Sequence, residues 1–466
     1  MRNPKAMGVF STFLAALILS SCGGGMSSGG GGLQQQMGSV FTVGTDAPLP
    51  SVVSCQINVM GVTLNNGTTN VPVLTTQQVV DFAQLSGLHQ LLDLNAVPTG
   101  TYSSATVMLA SPVIGFIDTT QSPPIVNTIN GTLTTSSVTV NFNQPFVLNN
   151  ADLVGLRMEF DLRQSLQTDA SGQVTGMVTP TFEMQLLDAA NSEVSIDDFH
   201  AGVVAVNGPN SFIVQGPKGR HWTVQTSDST VLDDPDLPIS SFTTDTIVSI
   251  SGQLDPVSKN IDASEVEVVS TDGFFLGGLL TSVRPPAGQP ATQVDLFVRT
   301  ELPDITGLSD GQIETLHLNG SEVYRIGHID LPLATLLFNN SALTPGQNVG
   351  IGGSLVTTNG VPNLTPHRVV LHRQGQAGTW VVGSTNVVSG NNGSFQLNDN
   401  FTAGILLPSP LTVLTTNQTV FINLSGLSAL SGSQGIPIRV VGFILIDPAT
   451  GQPVLVARAV EEITAS

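Results

Sequence analysis

Val248-Ser-Ile-Ser-Gly252-Gln-Leu254 recurs with the same texture as Val349-Gly-Ile-Gly-Gly353-Ser-Leu355 and again as Ile438-Arg-Val-Val-Gly442-Phe-Ile444. Apolar residues alternate in each copy with the period of a strand, and a glycine stands at the centre, where the missing side chain lets a strand bend sharply. A turn follows each time (Asp255-Pro256, Thr358-Asn359-Gly360, Asp447-Pro448), then a closing apolar run at 264–269, 367–371 and 455–462. Upstream, Ser229-Thr230-Val231, Ser321-Glu322-Val323 and Gln418-Thr419-Val420 mark a further shared position. Repeats of about 70 to 100 residues are too long for a solenoid, so each is expected to be a small domain with its own core.

Each repeat opens on a hairpin-like stretch, with Gly202-Val203-Val204 leading to Phe212-Ile213-Val214 and Gly378-Thr379-Trp380 leading to Phe395-Gln396-Leu397. Five or six strands ending in a glycine-kinked one predict three small OB-like β-barrel modules in tandem, at 198–271, 272–374 and 375–466. These modules resemble domain of unknown function family 5666, common in exported bacterial proteins, with the best fit over 199–270. The middle copy departs by an extra segment near 284–318.

Ahead of the repeats, residues 38–190 read as short alternating segments divided by turn residues. Strands are expected at 39–43, 52–64, 71–74, 101–109, 131–133, 137–142, 154–162 and 178–187. Phe82, Leu85, Leu88 and Leu92 have helical spacing and predict one short helix over 82–92. Many strands without βαβ alternation predict an N-terminal antiparallel β-sandwich, so the whole chain reads as all-β. Thr45-Asp46-Ala47-Pro48, Val80-Asp81-Phe82 and Pro98-Thr99-Gly100-Thr101-Tyr102 resemble the N-terminal domain of lipoproteins in domain of unknown function family 4382, over about 38–188. That family has no established activity, so the resemblance implies a location and a β-sandwich but no chemistry.

The first residues suggest the same location. Arg2 and Lys5 precede an apolar run over 9–19, about half the ~20 residues a spanning helix needs, so the run reads as a signal and not an anchor. Leu19-Ser20-Ser21-Cys22 resembles the lipobox of bacterial lipoproteins. The resemblance implies a signal peptide over 1–21, cleavage before Cys22, and membrane attachment through a lipid on that thiol. Gly23 after the cysteine, in place of Asp, implies the outer membrane. The Gly/Ser/Gln run that completes 22–37 predicts a flexible tether of roughly 20 Å r.m.s. span. Gly25-Met26-Ser27-Ser28-Gly29 matches a hydrolase elbow pattern, but without the strand and helix that pattern requires.

Loss of residues 1–21 would leave 12 basic against 34 acidic residues, a net charge of −22. With aromatics at only 5%, neither the basic groove nor the stacking platform of a nucleic-acid-binding barrel is available, so nucleic acid is excluded as a partner. Two Trp and two Tyr are too few for the aromatic girdles of an outer-membrane barrel. Cys55 shares strand parity with Val53, Ile57 and Val59 and reads as an inert core thiol. The seven histidines (His89, His200, His221, His317, His328, His367 and His372) contain no metal-binding helix pair, and no metal or other cofactor is expected. Asp233, Asp234 and Asp236 flank Pro235 in the densest carboxylate group and are the candidate calcium ligands, against a plain solvated acidic turn. Trp222 and Trp380 are the candidate sugar-stacking residues, with core packing as the alternative.

No catalytic motif is present. The expectation is therefore a non-enzymatic, lipid-anchored cell-envelope protein of structural or binding role, its partner a polysaccharide or an envelope protein. A carbohydrate-active enzyme and an envelope assembly or secretion accessory factor are the alternatives.

Overall fold

Strands dominate the computed structural model, which is all-β with several small sheets. It describes residues 36–463 except 48–51, 86–89, 119–124, 171–172, 189–193, 217–218, 220, 235–236, 256–257, 259, 304–307, 309–310, 328, 359–360, 400–405 and 433–434. The signal segment, Cys22, nearly all of the tether, His89, Asp236 and His328 thus lie outside the described residues. Five of the sheets have four or more strands, in a five-blade, propeller-like arrangement.

The N-terminal region holds two larger sheets and a small one of Leu166–Thr168, Val174–Val178 and Thr132–Leu133. One runs in the order Phe182–Asp188, Leu153–Asp161, Met37–Ala47, Gln90–Pro98. The other is built on Val52–Asn65 and Gly100–Asp118, with Asn70–Leu74, Gln78–Asp81, Ile125–Asn130 and Ser137–Leu148 alongside. Their facing sides bury Val40, Leu156 and Met158 against Ile57, Val59, Tyr102 and Val107 in one core. Tyr102 fixes the Pro98 turn, its hydroxyl donating to the Pro98 carbonyl over 2.7 Å.

Three expectations need correction here. The region is not wholly antiparallel, because Met37–Ala47 pairs in parallel with Leu153–Asp161. The chain reaches that position only after building the other sheet, and such a return brings a strand back in the same direction. The helix expected over 82–92 is a single 3-10 turn, Phe82–Gln84, followed by the strand from Gln90. Phe82, Leu85 and Leu92 do point inward, but Asp81 caps the turn by accepting from Ala83 N (3.2 Å) while also accepting from Cys55 N (2.7 Å) and Ser54 Oγ (2.6 Å) of the neighbouring strand. The strand expected over 178–187 is two, Val174–Val178 and Phe182–Asp188, divided at Pro180, which has no N–H for a ladder.

Each repeat supplies five principal strands. In the first they are Val194–Gly208, Ser211–Gln215, His221–Gln225, Ile247–Asp255 and Asn260–Ser270. The first strand pairs with the second, the second with the third, the third in parallel with the fifth, the fifth with the fourth, and the fourth with the first, closing a ring. The third repeat closes the same way through Gln374–Trp380, Asn392–Asp399, Leu411–Thr415, Pro437–Asp447 and Gln452–Glu462. In the middle repeat Gly273–Arg284, Gln293–Leu302, Ile313–His317, Asn348–Thr358 and Val361–Leu371 pair in that order except for the third-to-fifth bond.

The central glycines mark one local device. A register shift falls at Ser251/Gly252, Gly352/Gly353 and Val441/Gly442. A Cβ at Gly252, Gly353 or Gly442 would run into the carbonyl oxygen of Asp262, Thr365 or Val456 on the fifth strand. The second shared signal begins a short strand parallel to the fifth, at Val231, Val323 and Val420. Thr230 Oγ1 donates to Ala263 O (2.7 Å) and Thr419 Oγ1 to Ala457 O (2.8 Å). In the middle repeat Glu322 takes that place and accepts instead from Asn319 N (2.6 Å) and Gly320 N (3.1 Å).

The modules share cores with their neighbours. Phe443, Leu445, Val454 and Val456 of the third complete the core around Leu276, Leu280 and Val349 of the second. Leu153 and Leu187 of the N-terminal region pack on the core of the first. A bulge between Val52 and Ser54 turns Val53 away from the core that holds Cys55, Ile57 and Val59 and seats it against Leu279 and Phe297 of the second module. The common parity expected of those four residues is broken at that bulge.

Candidate functional site

On the outward face of the first module, register places polar residues in rows. His200 lies opposite Ser249, which lies opposite Glu267, and Ser251 lies opposite Glu265. Asp198 joins the second row from a bulge between Ile196 and Phe199, where its φ of 50° puts it in the left-handed region that non-glycine residues rarely visit. On an isolated barrel these rows would face water. Here the second module covers them, bringing Phe275, Gly350, His372 and Arg373.

Arg373 ties the two modules. Its guanidinium lies 3.2 Å from Asp198 and 3.5 Å from Asp197, and donates to Ser251 Oγ over 2.5 Å. Burial would raise the Asp198 carboxyl, but the charge of the Arg373 guanidinium and its hydrogen bond win and hold it at about 2. His200 stacks on Phe275 with ring centroids 4.6 Å apart, and His372 meets His200 edge to face at 4.9 Å. His372 is 4% exposed, and neither of its ring nitrogens has a hydrogen-bond partner, nor has His200 Nε2. Desolvation therefore keeps both imidazoles neutral, lowering His200 to about 3 and His372 in the same direction.

Carboxyls on the same face go the other way. Glu267 is 6% exposed with Oε1 unpartnered. Burial, then the charges of Asp233, Asp198 and Glu265, push it well above its ordinary range, so it is held as the neutral acid. Asp233, beside Glu265, is pushed up to about 8 by burial and by that neighbour, to which it is hydrogen-bonded. Burial thus favours the acid form of these carboxyls and the neutral form of the imidazoles.

The sequence-predicted residues are distributed differently. Asp233 belongs to this junction. Asp234, 4% exposed, is gripped by Arg368 at 2.8 Å and Arg325 at 3.6 Å, both from the second module, so its oxygens face guanidinium groups and the candidate calcium turn is an intermodule clasp. Among the described residues no group of three or more His, Cys, Asp and Glu is placed to hold a metal ion. Trp222 is 7% and Trp380 2% exposed, each in its own module's core, and Trp380 Nε1 donates to Thr385 Oγ1 over 3.0 Å. Neither offers a face for stacking. His367 pairs with Asp272 at 2.8 Å, while His221 and His317 are exposed.

Sequence reasoning missed Asp198, His200, Glu267, His372 and Arg373 as a set. One signal was available: Glu267 interrupts the apolar run Val266 to Val269. Elsewhere, a groove of about 460 Å³ lies where the N-terminal region meets the second module, lined by Val113, Val126, Thr128, Asn130, Gln312 and Ile313 without a charged group. Thr128 Oγ1 spans that seam to the Gly311 carbonyl over 2.8 Å.

No curated protein matches the chain. Residues 38–176 match the model of the family described as Domain of unknown function (DUF4382), a stretch that ends within the strand Val174–Val178 and leaves out the edge strand Phe182–Asp188 of the first sheet.

Proposed function

We propose that the chain is a non-enzymatic cell-envelope protein, anchored by a lipid on Cys22, whose modules form a fused scaffold that binds a neutral glycan or an envelope protein. The observation that carries the structural part is the Arg373 junction, where a buried guanidinium of the second module is held by Asp197, Asp198 and Ser251 of the first. The uncharged groove beside Thr128, Asn130 and Gln312 supports the binding part, since amides and hydroxyls beside Val113 and Ile313 suit hydroxylated ligands.

The ring order of the first and third repeats supports reading 198–271 and 375–466 as OB-like barrels resembling family 5666, with 272–374 an opened variant and 38–190 a sandwich. The parallel third-to-fifth pairing that closes the first and third rings supports the barrel reading of those two repeats. Anchoring is tested by labelling cells with a radioactive fatty acid: label in the wild type and none in Cys22→Ser supports it, and equal labelling overturns it. A glycan array with the full chain and Asn130→Ala tests binding. A carbohydrate-active enzyme is the alternative, and glycan hydrolysis by the purified full chain would replace the structural reading.

A further inference from the structure

We propose that the junction between the first and second modules is a two-sided proton latch, closed when Glu267 carries a proton and His200 and His372 do not, and loosened on either side of a mildly acidic window. The geometry sets this up. Glu267 is 6% exposed with Oε1 unpartnered, on the same strand face as Glu265, and the Arg373 guanidinium is committed to Asp197, Asp198 and Ser251. A buried carboxyl among carboxylates, without a cation of its own, closes only as the acid. The histidines present the opposite case. A methyl group on Gly350 would strike both His372 Nε2 and the Phe275 ring, so the rings are packed too closely to take on solvated charge. Arg373 is also a neighbouring cation that disfavours a second positive charge on His372.

Every element around the latch contributes charge. The first strand of the first module brings Asp197 and Asp198, its fifth strand Glu265 and Glu267, and the segment after Val231–Leu232 brings Asp233. The second module brings His372 and Arg373, and the third brings Arg458, whose charge acts on Asp233. The small apolar cluster of Ile247, Val269, Phe275 and Val370 packs across the same junction.

The signs follow from linkage. Glu267 and Asp233 have raised values when closed, Asp233 at about 8. Opening therefore releases their protons at any pH above the ordinary carboxyl range of about 4, and the latch weakens as pH rises. His200 and His372 have lowered values when closed, His200 at about 3. Opening takes up protons below the ordinary imidazole value of about 6.5, and the latch weakens as pH falls. Between about pH 4.5 and 6.5 uptake and release offset, and closure is strongest. Above about pH 7 the opening constant rises with pH, and below about pH 4 it rises with acid, where Asp198 adds its own proton uptake.

Hydrogen exchange of the full chain, corrected for the intrinsic pH dependence of exchange, measures this opening directly. Amides of 247–255 and 260–270 should be best protected near pH 5.5 and lose protection on both sides, while amides of 411–415 in the third module change less. Glu267→Gln should about halve the slope of the alkaline limb and leave the acid limb in place. A flat profile between pH 4 and 9, or parallel loss at 411–415, overturns the proposal. If Glu267→Gln does not fold, the wild-type profile alone decides.

Discussion

Arg373 Nη2 lies 3.2 Å from Asp198 Oδ1, so the residue just beyond the last strand of the second module is bonded to a bulge in the first strand of the first. Both side chains are mostly buried, at 13% and 17% exposure. Arg373→Met should therefore leave carboxylates without compensation and cost about 3 kcal/mol in chemical denaturation, with part of the loss recovered in the Asp198→Asn double variant. A cost under about 0.5 kcal/mol would show that the pair is no more than a surface contact.

The same pair sets an acid limb. Asp198 is held at about 2 against an ordinary 3.8, so its contribution is present above 3.8 and is lost as pH falls toward 2. Acid unfolding followed by circular dichroism should lose that limb in Arg373→Met, and unchanged curves would assign the limb to other carboxyls.

Asp234→Asn should destabilise the chain by about 2–4 kcal/mol, because Arg368, at 10% side-chain exposure, would lose its carboxylate partner. Calcium titrated into the wild-type protein should leave Tm unchanged. A rise in Tm with calcium would mean that the ion displaces the two guanidinium groups.

Gly252→Ala and Gly442→Ala each drive a methyl group into a backbone carbonyl of the paired strand and should cost about 1–3 kcal/mol. Gly202→Ala, where a Cβ meets nothing within 4 Å, is the control and should shift Tm little. Equal effects at all three positions would mean that the penalty is general to strand glycines and does not come from the bulge.

Thr419 is 4% exposed and accepts from Thr416 N (2.9 Å) while donating to Ala457 O (2.8 Å). Thr419→Val keeps the shape and removes both bonds, for an expected loss of about 1–3 kcal/mol by thermal denaturation. Thr230, the matching residue, is only partly buried, and Thr230→Val should cost less. The reverse order would contradict burial as the cause.

Local pattern alone determined that this chain is all-β, where most strands run, and that a glycine stands at the same kink at Gly252, Gly353 and Gly442. These features depend on neighbours in sequence: alternation of period two, turn residues, and the absence of a Cβ. The 3-10 turn at Phe82 was not legible, because apolar spacing over so short a window fits a turn plus a strand as well as a helix. Nor was the parallel pairing of Met37–Ala47 with Leu153–Asp161, since direction depends on the path of everything between them. The junction was least legible of all. Alternation separates the two faces of a strand, and Ser249, Ser251, Glu265 and Glu267 fall on one of them, but it carries no information on whether another module will cover that face. Only the tertiary structure set Arg373 and His372 on it, and burial by a distant segment turned ordinary surface residues into a set of groups with fixed protons.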